Sequence, residues 1–393
     1  MNSFIEVDYS QKWKSTERIP GDIFLLSRDK TEGRIVCTLS DGLGSGVKAN
    51  VLANLTASMG QKFTTSKMDI IKSAQIIMKT LPICKERKIS YSTFTIVDIN
   101  SNGKAGIIEY DNPGFILVRD NKIVQTDFTV IPLENRFPGR KEKLKHTELE
   151  LKSEDRLIFF SDGVSQSGMG TAAFPLGWRR PDIENFILQQ ISQKRNISAS
   201  ELSKKIVGRA LLNDIQKAKD DITCAAIYVR KPRKLLLLSG PPIDPDNDIH
   251  LVNNFVKFQG HKVICGGTTA QIISKGIDEN IITNLKERDV DIPPSSEMEG
   301  ADLVTEGILT LSKTADMLEN KESWSTMKPN AVKKLITLFM NSDEVHFIIG
   351  TKINEAHQDP SIPVEIGLRR TIVNRIKKIL EEKYLKKTTL EYL

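Results

Sequence analysis

Four aspartates spread along the first 221 residues each stand at the end of a strand-length apolar run. Asp22 opens GDIFLL, Asp41 closes IVCTLS, Asp162 closes LIFFS, and Asp220 precedes DITCAAIYV. A sheet brings strand ends from distant parts of a chain to one edge, a few ångströms apart. The pattern therefore favours a fold in which several strands finish side by side and present carboxylates together. Hard divalent cations require such all-oxygen clusters. Each site has a plainer reading, since Asp and Gly dominate turns and SDG is a common one. Two strand-end SDG sequences, a GD at 21–22 and a DDIT at 220–223 are harder to assign to turns when taken together.

The surrounding sequence supplies the strands and helices. ERIPGDIFLLSRD and GRIVCTLSDG form a pair of strands around a KTEG turn. Gly42 lets the backbone come close to a ligand, so its carbonyl joins the candidates. Gly44 and Gly46 permit a sharp turn into a helix that carries Val47, Val51 and Leu55 at helical spacing. A second helix places Ile70, Ile71, Ala74, Ile77 and Met78 on one face. Strand-like stretches follow from STFTIVDIN to LIFFSDG, separated by SNG, NPG and RDN turns. Helices are expected over 181–193 and 200–216, the latter capped by Ser198 or Ser200, and ITCAAIYVR closes the segment as a buried strand. Helices grouped against antiparallel strands indicate an α+β layered domain.

A chain of 393 residues is long enough for two domains, and KPRK at 231–234 is the expected junction. The domains are set at 1–232 and 233–393. In the second, the strands KLLLLSG, HKVICGG, DLVTEG and EVHFIIG alternate with helices over 247–258, 268–275, 308–319, 328–341 and 363–385. That alternation argues a smaller α/β domain with a parallel sheet. The tail KKTTLEYL is left either frayed or docked. The strand-end turn Gly266–Gly267–Thr268–Thr269 is a candidate site for a small anionic ligand, because helix N-termini bind anions. It lacks the glycine pattern of a dinucleotide fold and the lysine of a P-loop. The DPDND run at 244–248 lacks the glycine and distal glutamate of a calcium loop, so a solvated loop with a helix cap is expected.

Composition narrows the function. No apolar run approaches the roughly 18–20 residues of a membrane span. The N-terminus has no signal-peptide pattern, so a cytoplasmic protein is expected. Residues 1–230 hold 34 Lys/Arg against 27 Asp/Glu, and residues 231–393 hold 22 against 23. The basic excess suits a phosphorylated or acidic partner. It is too weak, and too poor in interleaved aromatics, for nucleic acid. Cys37, Cys84, Cys224 and Cys265 are far apart, without zinc spacing, and fit a reducing compartment. Cys37, Cys224 and Cys265 lie inside apolar runs and are expected in the core.

In order and surroundings, GDIF, SDGLGSG, FFSDG and DDIT resemble the metal-dependent serine/threonine protein phosphatases of the PPM class (type 2C), and within them the bacterial SpoIIE-like branch. The resemblance covers roughly residues 4–230. It implies a β-sandwich of two antiparallel sheets flanked by helices, with two Mn²⁺ or Mg²⁺ ions at its edge. It implies that Asp41 bridges both ions, that Asp22 and the Gly42 carbonyl hold one, and that Asp162 and Asp220 hold the other. Asp221 stands where relatives carry Asn or Asp and is a further candidate ligand. Two such ions activate a bridging water, whose hydroxide attacks the phosphorus of a phosphoserine or phosphothreonine on a regulatory protein. Arg18, four residues before Asp22, matches the offset of the phosphate-gripping arginine in eukaryotic relatives, although a solvated arginine is its ordinary state. His146 is expected at the surface, and His346 and His357 are isolated, with a core role for His346. Since the resemblance starts near the first residue, the C-terminal domain is the expected regulator. The alternative is a catalytically weak phosphatase-fold sensor or scaffold that binds a phosphorylated partner or an anionic small ligand.

Overall fold

In a computed structural model, the structure describes residues 3–29, 32–44, 46–82, 92–133, 142–283, 292–320, 327–352, 363–384 and 386–393. Two units partition the chain, Met1–Lys231 and Pro232–Leu393.

The first unit runs β1 (Phe4–Lys12), β2 (Asp22–Arg28), β3 (Ile35–Gly42), α1 (Gly46–Thr65), α2 (Ile70–Thr80), β4 (Ser92–Ile99), β5 (Lys104–Tyr110), β6 (Ile116–Arg119), β7 (Lys122–Val124), β8 (Thr129–Pro132), β9 (Lys143–Glu150), β10 (Arg156–Phe160), α3 (Asp162–Ser165), α4 (Arg180–Gln193), α5 (Ala199–Asn213) and β11 (Ile222–Arg230). Two antiparallel sheets result, ordered β1-β11-β10-β6-β7 and β2-β3-β4-β5-β9-β8. Their facing sides share one core, in which Cys37, Leu39, Val97 and Ile107 meet Leu117, Leu157, Phe159, Ala225 and Ile227. The outer side of the six-stranded sheet packs Val36, Phe94, Ile96 and Ile108 against α2. The outer side of the other sheet packs Ile158, Phe160, Ala226 and Tyr228 against α4 and α5. This four-layer α+β sandwich explains why ITCAAIYVR is apolar throughout. All nine residues of β11 are buried, because one side faces the sandwich and the other faces helices.

Several sequence expectations need correction. Val47, Val51 and Leu55 do not form the inner face of α1; they are 69%, 55% and 44% exposed. Small residues face the sheet instead: Ala49, Ala53, Ala57 and Gly60. A Cβ on Gly60 would stand 3.1 Å from Ile96 Cδ1 and 3.2 Å from Thr38 Cγ2, so close helix–sheet approach selected size over apolarity. The N-terminal stretch FIEVDYSQK, not expected as a strand, is β1 and pairs along its length with β11. His146 is no surface residue, since its side chain is only 11% exposed on β9. Of the two serines offered as the α5 cap, Ser198 takes the role, accepting the Glu201 N–H at 3.1 Å.

The second unit runs β12 (Lys234–Ser239), α6 (Asn247–Lys257), β13 (His261–Cys265), α7 (Gly267–Ile277), β14 (Ile282–Thr283), β15 (Ser296–Met298), β16 (Ala301–Thr305), α8 (Ile308–Asn320), α9 (Ala331–Asn341), β17 (Glu344–Ile349), α10 (Pro363–Glu382) and β18 (Lys387–Tyr392). Its sheet is ordered β14-β15-β16-β13-β12-β17-β18 and is parallel from β16 through β18. Of the two alternatives for the tail, frayed or docked, the structure shows the second: it docks as the edge strand β18 beside β17. Alternate strand residues face opposite sides. Leu236, Leu238, Ile264 and Val304 pack with α6 and α7. Leu235, Leu237, Val263 and Leu303 pack with α8, α9 and α10. His346, on β17 between β12 and β18, keeps 30% of its side chain exposed and lies 2.8 Å from Thr389 Oγ1 through Nδ1, so it is half-buried on an interior strand rather than a full core residue. Among the described residues no helix is long and apolar enough to cross a membrane.

Candidate metal centre

Strand pairing assembles the site. The antiparallel register sets Asp22 of β2 opposite Asp41 of β3, and Asp41 opposite Thr93 of β4. In the other sheet, β10 leads through Ser161 into Asp162, the first residue of α3, beside the start of β11. There the Ser161 N–H donates to the Thr223 carbonyl at 3.0 Å, and the Thr223 N–H donates to Ser161 Oγ at 3.1 Å. The two sheets meet at this edge through Thr223 Oγ1, which donates to Asp22 Oδ2 at 2.6 Å.

The carboxylates act on one another. Asp22 is 1% exposed, and burial drives its carboxyl well above the usual range. Hydrogen bonds from Thr223 and Ser161 oppose that rise, while the charges of Asp221 and Asp162 add to it. Burial also pushes Asp41 upward, followed by the charges of Asp22, Asp162 and Asp220 and a hydrogen bond shared with the Asp162 side chain. The other three sequence-selected aspartates thus lie within electrostatic reach of Asp41, although they come from both sheets. Two or more carboxylates that cannot all ionise comfortably are characteristic of functional sites. Gln166, one helical turn on, donates through Nε2 to Asp162 Oδ2 at 2.7 Å.

Glycines let the backbone close around these groups. A Cβ on Gly42 would lie 2.2 Å from the Ala49 carbonyl oxygen, and one on Gly163 would lie 2.1 Å from that of Asp221. No other residue fits either position without moving α1 or β11. The Gly42 N–H donates to the Gly21 carbonyl at 3.1 Å, which ties the GD segment to the SDG turn.

Asp221 differs from the other four. Its Oδ2 accepts the Gly21 N–H at 2.5 Å and its Oδ1 accepts the Lys14 N–H at 2.9 Å. It holds the chain that leads into Asp22. Ser161, Thr223 and Asp214 were missed in sequence. Asp214 is 5% exposed and accepts from the N–H groups of Gly168 at 2.7 Å and Lys219 at 3.1 Å, bracing the segment before Asp220. Only the SDG and DDIT contexts of Ser161 and Thr223 offered any signal. Arg18 lies exposed in a bend before Pro20. Further along the same sheet edge, Thr93 Oγ1 donates to Asn112 Oδ1 at 2.5 Å. Asn112 lines a cavity of about 260 Å³ with Glu109, Tyr110, Glu142, Lys143 and Lys145.

Among the described residues, no three His, Cys, Asp or Glu side chains are already set around an ion position. Asp41 and Asp162 instead share a hydrogen bond. The donor set nevertheless fits a hard divalent cation. It is oxygen throughout, it combines the buried Asp22 with the partly buried Asp41, Asp162 and Asp220, and its mutual repulsion is the interaction that positive charge relieves. Cysteine nucleophiles do not fit. Cys37, Cys224 and Cys265 are fully buried, and burial pushes the thiols of Cys37 and Cys265 up to about 12 and that of Cys224 higher still. Cys84 and His357 lie outside the described residues. Gly266–Thr269 belong to the other unit, at the start of α7.

A family model described as Stage II sporulation protein E (SpoIIE) matches residues 31–230. No curated protein sequence matches the chain. Among solved structures, the phosphatase domain of SpoIIE from Bacillus subtilis is similar at 15% identity and a TM-score of 0.42, covering 58% of this chain and 94% of that one. RsbX in complex with magnesium is similar at 19% identity and 0.40, covering 57% and 95%. The S. agalactiae serine/threonine phosphatase is similar at 14% identity and 0.40, covering 57% and 99%.

Proposed function

The chain belongs to the SpoIIE family, and from that premise we propose that its first unit is a divalent-metal-dependent phosphatase acting on phosphoserine or phosphothreonine of a regulatory protein. The observation that carries this reading is Asp41, partly buried where the two sheets meet and facing the charges of Asp22, Asp162 and Asp220. In this reading Asp41 would touch both of two Mn²⁺ or Mg²⁺ ions. Asp22 and the Gly42 carbonyl would complete one set of ligands, and Asp162 and Asp220 the other. Bound ions of this kind supply a hydroxide nucleophile at neutral pH and neutralise charge on the phosphoryl oxygens.

The remaining roles belong to the protein. Thr223 and Ser161 donate hydrogen bonds that favour the ionised form of Asp22 against its burial and fix its direction. Gln166 orients Asp162. Asp221 is assigned to positioning Gly21 and Lys14 rather than to ligation. Arg18 is retained as a phosphate contact only for a bound substrate.

Hydrolysis of p-nitrophenyl phosphate by the full chain, dependent on Mn²⁺ and abolished in Asp41→Ala, is the expected result. Absence of turnover with any divalent ion overturns the reading in favour of a phosphate-recognising scaffold. Control by the second unit is part of the same proposal, since that unit carries ligand-type strand ends of its own. A chain ending at Lys231 with the same activity and the same response to small anions rules that control out.

A further inference from the structure

The second unit contains a crevice built on general α/β principles. Ligands of open parallel sheets bind at the carboxyl ends of strands, where neighbouring strands send their helices to opposite faces. Strands β13 and β16 are hydrogen-bonded neighbours. After β13 the chain enters α7, whose Ala270 and Ile273 pack on one face. After β16 it enters α8, whose Leu311, Ala315 and Leu318 pack on the other. The two helix starts abut. The Gly266 N–H donates to the Thr305 carbonyl at 2.8 Å, and a Cβ on Gly307 would lie 3.5 Å from Gly266 Cα.

Each helix start leaves its first N–H groups without an intrahelical acceptor. The first such bonds are Ala270 N–H to the Gly266 carbonyl and Leu311 N–H to the Gly307 carbonyl. No side chain caps α7. Above its first turn there is open space: a Cβ on Gly267 would meet nothing within 4 Å, and one on Gly266 only Thr269 Oγ1 at 3.5 Å.

The second observation is independent of helix geometry. Thr269 is fully buried, and its hydroxyl has no hydrogen-bond partner. It sits against Gly266, at the mouth of the turn. Thr310, the third residue of α8, is likewise fully buried with an unpartnered hydroxyl. Leaving a buried hydroxyl unsatisfied is costly, because the group has given up its water without gaining a partner. Two of them at matching positions of adjoining helix starts indicate donors kept for an acceptor that arrives with a ligand. Charges nearby are mixed. Arg369 and Glu306 both act on Cys265 at the end of β13, and Glu306 is exposed at the rim, where water screens it.

We propose that this crevice, formed by Gly266–Thr269 and Gly307–Thr310, binds the phosphate group of a small phosphorylated molecule. The two helix starts supply backbone N–H donors and partial positive charge, and the threonine hydroxyls supply further donors. The site belongs to the second unit and does not depend on the metal centre.

The test is calorimetric titration of the full chain with inorganic phosphate, in EDTA and at constant ionic strength, so that metal-dependent phosphate binding is removed. Two variants accompany it. Thr269→Val keeps the shape and removes one donor. Gly267→Asp sets a carboxylate in the open space at a helix N-terminus, a position that tolerates acid, so the variant folds. Saturable binding is expected for the unaltered chain, weakened at least tenfold in both variants. Hydrolysis with Mn²⁺, measured in parallel, stays unchanged in both. A non-saturating signal from the unaltered chain, or an affinity within twofold of it in either variant, overturns the proposal whatever the hydrolysis assay gives.

Discussion

Thr223→Val isolates the join between the two sheets. Thr223 Oγ1 donates to Asp22 Oδ2 at 2.6 Å, and Asp22 is 1% exposed. Valine has nearly the same shape, so the substitution removes the donor while leaving little cavity. A hydrogen bond to a charged group contributes about 1.5–3 kcal/mol, and Ser161 remains as a second donor. The loss falls on the ionised form, which a cation would bind, and the Asp22 carboxyl moves further upward. At about 1.4 kcal/mol per factor of ten, the Mn²⁺ concentration for half-maximal activity rises about ten- to a hundredfold. The rate at saturating Mn²⁺ stays near that of the unaltered chain. The assay is p-nitrophenyl phosphate hydrolysis against Mn²⁺ concentration, with Thr223→Ser as the rescue. A half-saturating Mn²⁺ within twofold of the unaltered value for Thr223→Val refutes the reasoning. So does an equal loss in Thr223→Ser, since serine restores the donor.

Asp41→Asn removes a partly buried carboxylate whose charge three neighbours oppose, so thermal unfolding in EDTA shifts to higher temperature while Mn²⁺-dependent activity disappears; a lower midpoint contradicts the repulsion. Glu109 is buried, and burial raises its carboxyl to about 7, with the Phe115 N–H and the charges of Lys145 and Arg180 opposing the rise. Because the folded value lies above the unfolded one, its stabilising contribution is complete below the unfolded value and is lost as pH climbs through about 7. Glu109→Gln therefore gains about 3 kcal/mol over the parent at pH 8 and little below pH 4.5 in urea unfolding; an equal difference at both pH values counts against burial as the cause. Val51→Glu on the exposed side of α1 changes stability by no more than about 0.5 kcal/mol, whereas a loss of several kcal/mol would mean that this face is covered.

The four aspartates were legible because each combines two local signals, an apolar strand and a carboxylate at its end. Their helpers were not. Ser161 and Thr223 look like ordinary strand-end residues, and their value depends on β2 meeting β11 across the sandwich, a register no local pattern encodes. Asp221 was legible as an acid but not as the acceptor of two backbone N–H groups. The α1 error has a definite cause: spacing of large apolar residues marked Val47, Val51 and Leu55, while the contact distance on Thr38 and Ile96 selected alanines and Gly60. The edge strands β1 and β18 escaped notice because they are only partly buried and their alternation is diluted by polar residues. In the second unit the parallel sheet was legible from alternation, but the pairing of the α7 and α8 starts depends on spatial strand order.

The register of β1 with β11, from Phe4 against Arg230 to Lys12 against Ile222, also sets a timetable. A chain emerging from the ribosome holds β1 early but must wait for its partner until more than 200 further residues have been made. At about 5–20 residues per second that interval is about 10–45 seconds. Asp22 and Asp41 can pair as a hairpin long before, with Thr223, Ser161 and Asp220 absent. A nascent chain thus carries an early acidic hairpin without its hydroxyl donors, and the metal centre is among the last parts of the first unit to be completed. Chains truncated before β11 is made should consequently lack the activity altogether, rather than retain a weakened form of it.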